Sequence, residues 1–316
     1  MNKFFRFCLL ILLIAESSAN VQAQQDPVFS QYLFNPMLYN PAYAGIYDMG
    51  SATVQSRIQK FSPSSLTLTS VFSASSSLPT AQGMGIGINV INDRIGVGGG
   101  HTAYNNTEID LAYSYKIQLA EQTYLAMGLQ ADIMSHKIDN SGLNPKDVAD
   151  PTIQQPTINA TKLNFGTGLY LINEERYFLS ASAPRILNTT FENNGVIGQR
   201  YSRQFYFSGG AILNAEGNIP IRPAFMLKTI QGQSASLDLS TSFLLSDIIW
   251  TGVSVRNFHT LAIIGQLDIS EFVRVGYSTD LPLSNVAFKN LGTHEVSLNI
   301  NFTAFKKQVV VVPRYF

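Results

Sequence analysis

The side chains that could do chemistry are few and scattered. The four histidines, His101, His136, His259 and His294, fall in or beside different connections, none at a spacing that would place two on one metal. Asp147 and Asp150 share a stretch with Pro145, Pro151 and Pro156, which offers oxygen ligands but not the spacing of a calcium loop. Gly96 and Gly98 to Gly100 follow an Asn-Asp turn and do not open a helix, so they read as loop and not as a phosphate cradle. No G-x-S-x-G, H-E-x-x-H or Walker sequence occurs. These patterns point away from catalysis and imply no metal, no cofactor and no enzymatic role. What remains is a set of ionisable residues at alternate positions of apolar ribbons: Glu108, Asp110, Lys116, Asp132, Arg222, Lys228, Asp238, Arg256, Asp268, Arg274 and Glu295. Charges of mixed sign on one face can pair or stay hydrated around a common space, and no ring of one sign marks an ion filter.

The elements carrying them begin after a targeting segment. Lys3 and Arg6 precede an apolar run from Phe7 to Ala15, and Val21-Gln22-Ala23 has the small-x-small form of a cleavage site, so 1–23 reads as a signal peptide. The single cysteine, Cys8, leaves with it. The mature chain is expected to be exported and cysteine-free, which excludes a disulfide scaffold and a thiolate metal site. Charged residues are 13% of the chain and balance at 21 against 21, with aromatics at 11%. Globular proteins carry roughly 25% charge. The balance also speaks against a nucleic-acid partner, which calls for a basic excess. No run of 18 or more apolar residues exists. Low charge, many aromatics and no spanning helix leave the transmembrane β-barrel open.

Periodicity settles on two. In 108–119, Ile109, Leu111, Tyr113, Tyr115, Ile117 and Leu119 alternate with Glu108, Asp110, Ala112, Ser114, Lys116 and Gln118. The same alternation runs through 83–92, 163–171, 235–243 and 294–302. These ribbons match the ~9–11 residues that cross a bilayer at a tilt, and their apolar sets are almost free of charge. Fourteen strands are expected: 51–59, 66–77, 83–92, 107–119, 122–137, 161–173, 176–183, 203–213, 219–230, 233–245, 248–257, 259–269, 271–281 and 293–305. Short connections follow the even strands. Long ones, 93–106, 138–160, 184–202 and 282–292, follow odd strands, the loop asymmetry of an outer-membrane barrel. The expected fold is all-β: a transmembrane antiparallel barrel of about fourteen strands over 51–305, with both termini periplasmic and a tail at 306–316. Trp250 could be a belt residue at the membrane interface or a lumen filler.

Residues 24–50 do not alternate. Phe29, Tyr32, Phe34, Tyr39 and Tyr43 surround Asn35-Pro36 and Asn40-Pro41, a kinked aromatic segment that must bury itself somewhere. Docking is therefore expected of Tyr32, Phe34, Asn35, Pro36, Tyr39, Asn40, Pro41 and Tyr43, at the periplasmic mouth of the barrel or on a partner. Gln31 to Pro36 and Asn40 to Gly45, with Asp26-Pro27 before them, resemble the opening of the PorP/SprF family of type IX secretion and gliding proteins of Bacteroidota. The resemblance continues at Asn92 to Gly96, Arg274 to Ser278, Gly292 to Leu298 and Pro313 to Phe316. It implies an integral outer-membrane barrel, in contact with outer-membrane lipid, that works with secretion or gliding components and tethers or helps export a surface protein such as an adhesin. A channel for small solutes or hydrophobic substrates is the alternative.

Overall fold

A computed structural model of the chain describes residues 28–62, 65–78, 83–97, 101–139, 157–173, 176–193, 196–283 and 292–303. The signal segment, Asp147, Asp150 and the tail from 304 lie outside the described residues.

Sixteen strands follow in chain order. They are β1 (Gly50–Ser62), β2 (Ser65–Ser77), β3 (Met84–Val97), β4 (His101–Ala120), β5 (Thr123–Asp139), β6 (Thr157–Asn173), β7 (Tyr177–Ala183), β8 (Thr189–Asn193), β9 (Val196–Tyr201), β10 (Gln204–Ala211), β11 (Ile221–Ile230), β12 (Ser236–Leu245), β13 (Ile249–Arg256), β14 (Thr260–Ser270), β15 (Val273–Pro282) and β16 (Thr293–Phe302). All except β8 and β9 form one closed barrel in which each strand pairs with its chain neighbour. The seam joins β1 to β16 antiparallel, from Gly50 opposite Phe302 to Gln59 opposite Thr293.

Burial is inverted relative to a water-soluble protein. Asn89, Asp132, Glu295 and Ser278 are fully buried on the inner face, while Leu111, Leu129, Leu163, Phe165 and Val296 stand more than half exposed on the outer face. Such an exterior fits hydrocarbon, and period-two alternation puts every second side chain there. Trp250 is buried inside, against Leu244, Ile212 and Phe178, and so fills the lumen and does not belong to an interfacial belt.

Two expected loops turn out to be strand. Residues 93–106 mostly continue the β3–β4 hairpin, which shifts register between Ile95 and Gly96 and pairs on as far as Val97 opposite His101. The polar run Asn92-Asp93-Arg94 looks like a turn, yet its side chains pair across strands: Asp93 accepts from Thr69, and Asn92 donates to Asn105 and Thr107. Residues 184–202 hold the β8–β9 hairpin, which folds back toward β6 and seals its Phe191 against His136. The wall is therefore taller through β3 to β6 than through β10 to β16.

The turns between β12 and β13 and between β13 and β14 need left-handed backbone at residues other than glycine. Ser246, Asp247, Asn257 and Phe258 all have φ between 47° and 61°. Two adjacent residues of this hand match the right-handed twist of the strands they join.

Candidate functional site

Val28 to Met49 lies inside the barrel. Each Asn-Pro pair starts a 3-10 turn, Pro36–Leu38 and Pro41–Tyr43, because proline fixes φ and needs no N–H partner at the start of a helical turn. Asn40 caps the second turn by accepting from the Ala42 N–H at 2.9 Å. Phe29, Tyr32, Phe34, Met37, Tyr39, Ala42, Ala44, Ile46 and Met49 are buried. They pack onto different parts of the wall: Ile46 and Ala42 on Tyr170, Leu244 and Trp250, Tyr32 and Tyr39 on Tyr206 and Met226, and Met37 and Ala44 on Ala112.

Polar contacts fix the orientation. The Tyr32 hydroxyl meets Ser240 at 2.8 Å, Asn35 donates to Ser73 at 2.8 Å, and Asn40 donates to Ser180 and to the Leu169 carbonyl, both at 2.8 Å. The plug's carbonyls are satisfied from the wall. Tyr39 accepts from Ser182, Met37 from Asn89, Ala44 from Ser114 and Ile46 from Lys116. The wall also makes room. A β-carbon on Gly85 would strike the Ala44 carbonyl, one on Gly128 the backbone of Pro41 and Ala42, and one on Gly168 the Asn40 amide. Gly276 is in the same position against Gln31 and Phe34. The inner surface thus carries an imprint of the plug backbone.

Of the eight residues expected to dock, Tyr32, Phe34, Asn35, Tyr39, Asn40 and Pro41 are buried, while Pro36 and Tyr43 are half-buried. Tyr43 sits edge-on between Tyr47 and Tyr170. Burial raises the phenol pKa of Tyr32, Tyr39 and Tyr43, the last to about 12, so all three stay neutral at any physiological pH.

Several of the lumen charges pair. Lys116 reaches Asp48 of the plug at 2.8 Å, Asp238 takes Arg256 at 2.7 Å, and Arg274 bonds Asp268. Glu108 holds Arg185, and Asp110 accepts from Asn89 at 3.3 Å. Glu295 anchors a wider lattice. It pairs with Arg57, accepts from Ser278, and takes the Ser30 and Gln31 backbone N–H groups, while Ser30 Oγ donates to Asp280 at 2.6 Å. Lys116, Glu295 and Asp280 thus hold the plug from the wall without any ring of one charge.

Arg57, Arg185, Asp280 and Ser30 were not among the residues the sequence singled out. Arg57 and Asp280 stand at inward positions of their ribbons, and that parity would have found them. Arg185 lies past the end of β7, where no periodicity speaks. Glu108, Asp110 and Asp132 bring carboxylate oxygens within 4.8 Å of one another and are the group among the described residues that could hold a cation. Arg185 already counters one of the three.

A closed barrel of fourteen strands, apolar outside, polar inside and filled by its own N-terminal segment, is an outer-membrane β-barrel. The chain belongs to the family of type IX secretion system membrane proteins PorP/SprF, whose model matches residues 21–300. One solved barrel shares the fold, and a second is more distantly similar. The Pseudomonas putida toluene transporter TodX is similar at 7% identity and a TM-score of 0.50, over 84% of this chain and 92% of that one. The Acinetobacter baumannii outer membrane protein Omp33 is similar at 10% identity and a TM-score of 0.43, over 82% and 99%. No curated protein matches the chain.

Proposed function

We propose that this outer-membrane barrel tethers, or helps to export, a cell-surface protein such as an adhesin, in company with secretion or gliding components. It reaches the membrane after cleavage near Ala23, and it acts by holding and not by catalysis. The observation that carries this reading is the plug. Aromatic and aliphatic side chains occupy the lumen from several sides, and wall glycines admit the plug backbone to contact distance. A lumen filled in this way suits a scaffold whose rigid wall presents loops to a partner, and it opposes free diffusion of solutes.

A second reading has one observation in its favour. A cavity of about 610 Å³ remains at the tight-turn mouth, between Phe34, Ile46 and Tyr47 of the plug and Phe272, Arg274 and Asn301 of the wall. A channel would use that space if the plug moved. Deleting the gene separates the two. Tethering or export requires a surface protein to appear in the medium or be lost from the cell surface while uptake of small solutes is unchanged. Normal surface display combined with a specific uptake defect, or single-channel conductance of the purified barrel, would replace the tether with the channel.

A further inference from the structure

At one level of the lumen, oxygen acceptors face one another with no donor between them. Asn89 stands opposite Asp110 across β3 and β4, and Asp110 stands opposite Asp132 across β4 and β5. All three are 2% exposed or less. Asn89 Oδ1, Asp110 Oδ1 and both oxygens of Asp132 nevertheless accept no hydrogen bond from the protein. Gln130 faces Asp132 from two residues along β5 but stands outside hydrogen-bonding geometry. Glu108 brings a third carboxylate from the next inward position of β4. One oxygen from each of the three acids lies within 4.8 Å of the others.

Buried charges are ordinarily paired or bonded to a metal, because leaving water otherwise costs too much. Among the described residues Arg185 is the cation that acts on this group, and its guanidinium is engaged with Glu108, Nε at 3.1 Å. Three carboxylates against one guanidinium leave two negative charges over, which one divalent cation balances. The plug closes the place from the other side. Asn89 Nδ2 donates both to Asp110 and to the Met37 carbonyl of the plug, each at 3.3 Å, so wall and plug orient the amide together. A cavity of about 50 Å³ borders Glu108 and Asp110 and is walled by Phe29, Leu38 and Tyr39 of the plug. A water needs about 10–15 Å³ of such space, so this one admits a few waters and no organic ligand.

We propose that Asn89, Glu108, Asp110 and Asp132 bind one calcium ion, which ties β3, β4 and β5 to one another and, through Asn89, to the plug. The donors are all oxygen, a set that suits calcium or magnesium and not the softer transition metals. Each Glu108 oxygen keeps a second lone pair beside its bond to Arg185. Calcium accepts irregular geometry and bidentate carboxylates, whereas magnesium holds to an octahedron and keeps several waters. Donors fixed on three neighbouring strands, with space for few waters, therefore select calcium. Glu108 and Asp110 share a face by parity alone, but Asp132 joins them only through the register of β5 against β4. That is why spacing along the chain shows no metal motif. The inference stands whether the barrel is a tether or a channel.

Elemental analysis tests it. Wild type, Asp132→Asn and Glu216→Gln, the last altering an exposed acid in a tight turn, are purified in detergent from the outer membrane. The buffer holds calcium and magnesium at equal concentration, and the protein is then desalted. Wild type and Glu216→Gln are expected to carry one calcium per chain more than Asp132→Asn. Calcium should raise the temperature at which the folded band of the wild type converts on gels and leave that of Asp132→Asn unmoved. In chelator the order should reverse, because Asp132→Asn has one repelled carboxylate fewer, so a damaged fold is not mistaken for a lost ligand. Equal calcium in wild type and Asp132→Asn overturns the inference, since the ion then sits elsewhere, on lipid or on surface acids. So does a wild-type barrel that carries no calcium or carries magnesium in its place. A wild-type barrel whose melting neither chelator nor calcium shifts overturns it as well, and that measurement needs no variant.

Discussion

Substituting Gly128 with alanine adds one carbon to the barrel wall and should loosen the plug while leaving the wall intact. The added β-carbon would lie 2.6 Å from the Ala42 α-carbon, and the neighbouring Pro41 is also backbone at that point. Neither is the far end of a flexible side chain, so the second 3-10 turn has to move as a unit. Overpacking of this kind costs about 1–3 kcal/mol. Only the docked plug bears it, because alanine suits a strand better than glycine and β5 itself loses nothing. Expressed as an opening equilibrium, that range raises the open population of the plug by about 5- to 150-fold at 25 °C, a factor of ten for each 1.4 kcal/mol. Hydrogen exchange in detergent reads it directly. Amides of Leu38 to Ile46, protected by bonds such as Tyr43 N–H to Asn40 and Ile46 N–H to Tyr43, should exchange faster by that factor, and strand amides should not change. Gly265→Ala is the control, since a β-carbon there meets nothing within 4 Å. Equal exchange in Gly128→Ala and wild type, or equal acceleration in Gly265→Ala, would refute the imprint argument.

Two further outcomes follow from the same packing. Tyr32, Tyr39 and Tyr43 have folded-state pKa values raised above the unfolded value near 10, so the stability they contribute is complete below pH 10 and is lost as the pH climbs through their folded values, which begin at about 12. Tyrosinate absorbance should accordingly show a late group of phenols; a single transition near pH 10 for every tyrosine would contradict this. The one tryptophan, Trp250, is buried with Arg222 stacked 4.2 Å above its ring, so brominated detergent should fail to quench it in the native barrel. Ile46→Ser, which removes a plug contact from the same cluster, should make Trp250 more accessible to aqueous acrylamide; strong quenching by the detergent would return the residue to the membrane belt.

How far the sequence could be read depended on the range of each interaction. Alternation is local, and Ile109 to Leu119 or Val296 to Phe302 declare their outward face without reference to the rest of the chain. All fourteen barrel strands were legible for that reason. The β8–β9 hairpin was not: its strands are short, and its buried Phe191 depends on a histidine far away in sequence. Asn92-Asp93-Arg94 was misread because turn-forming residues can also serve as cross-strand partners in a hairpin that rises above the membrane. The aromatic segment announced that it must bury itself. Its path through the lumen could not be read, because that path is written in the wall. Gly85, Gly128, Gly168 and Gly276 look like ordinary strand glycines until Ala44, Ala42, Asn40 and Gln31 are set against them. The anchoring charges divide in the same way: Arg57 and Asp280 follow strand parity, and Arg185 follows nothing local.

The imprint also bears on the order in which the molecule is built. A finished barrel would have to admit a segment bearing Tyr39, Phe34 and two rigid proline turns past side chains already packed, and then place its backbone against glycines with no clearance. Closing the seam between β1 and β16 around a segment already in place asks for none of this. The aromatic segment is then a mandrel, the form around which the sheet is wound.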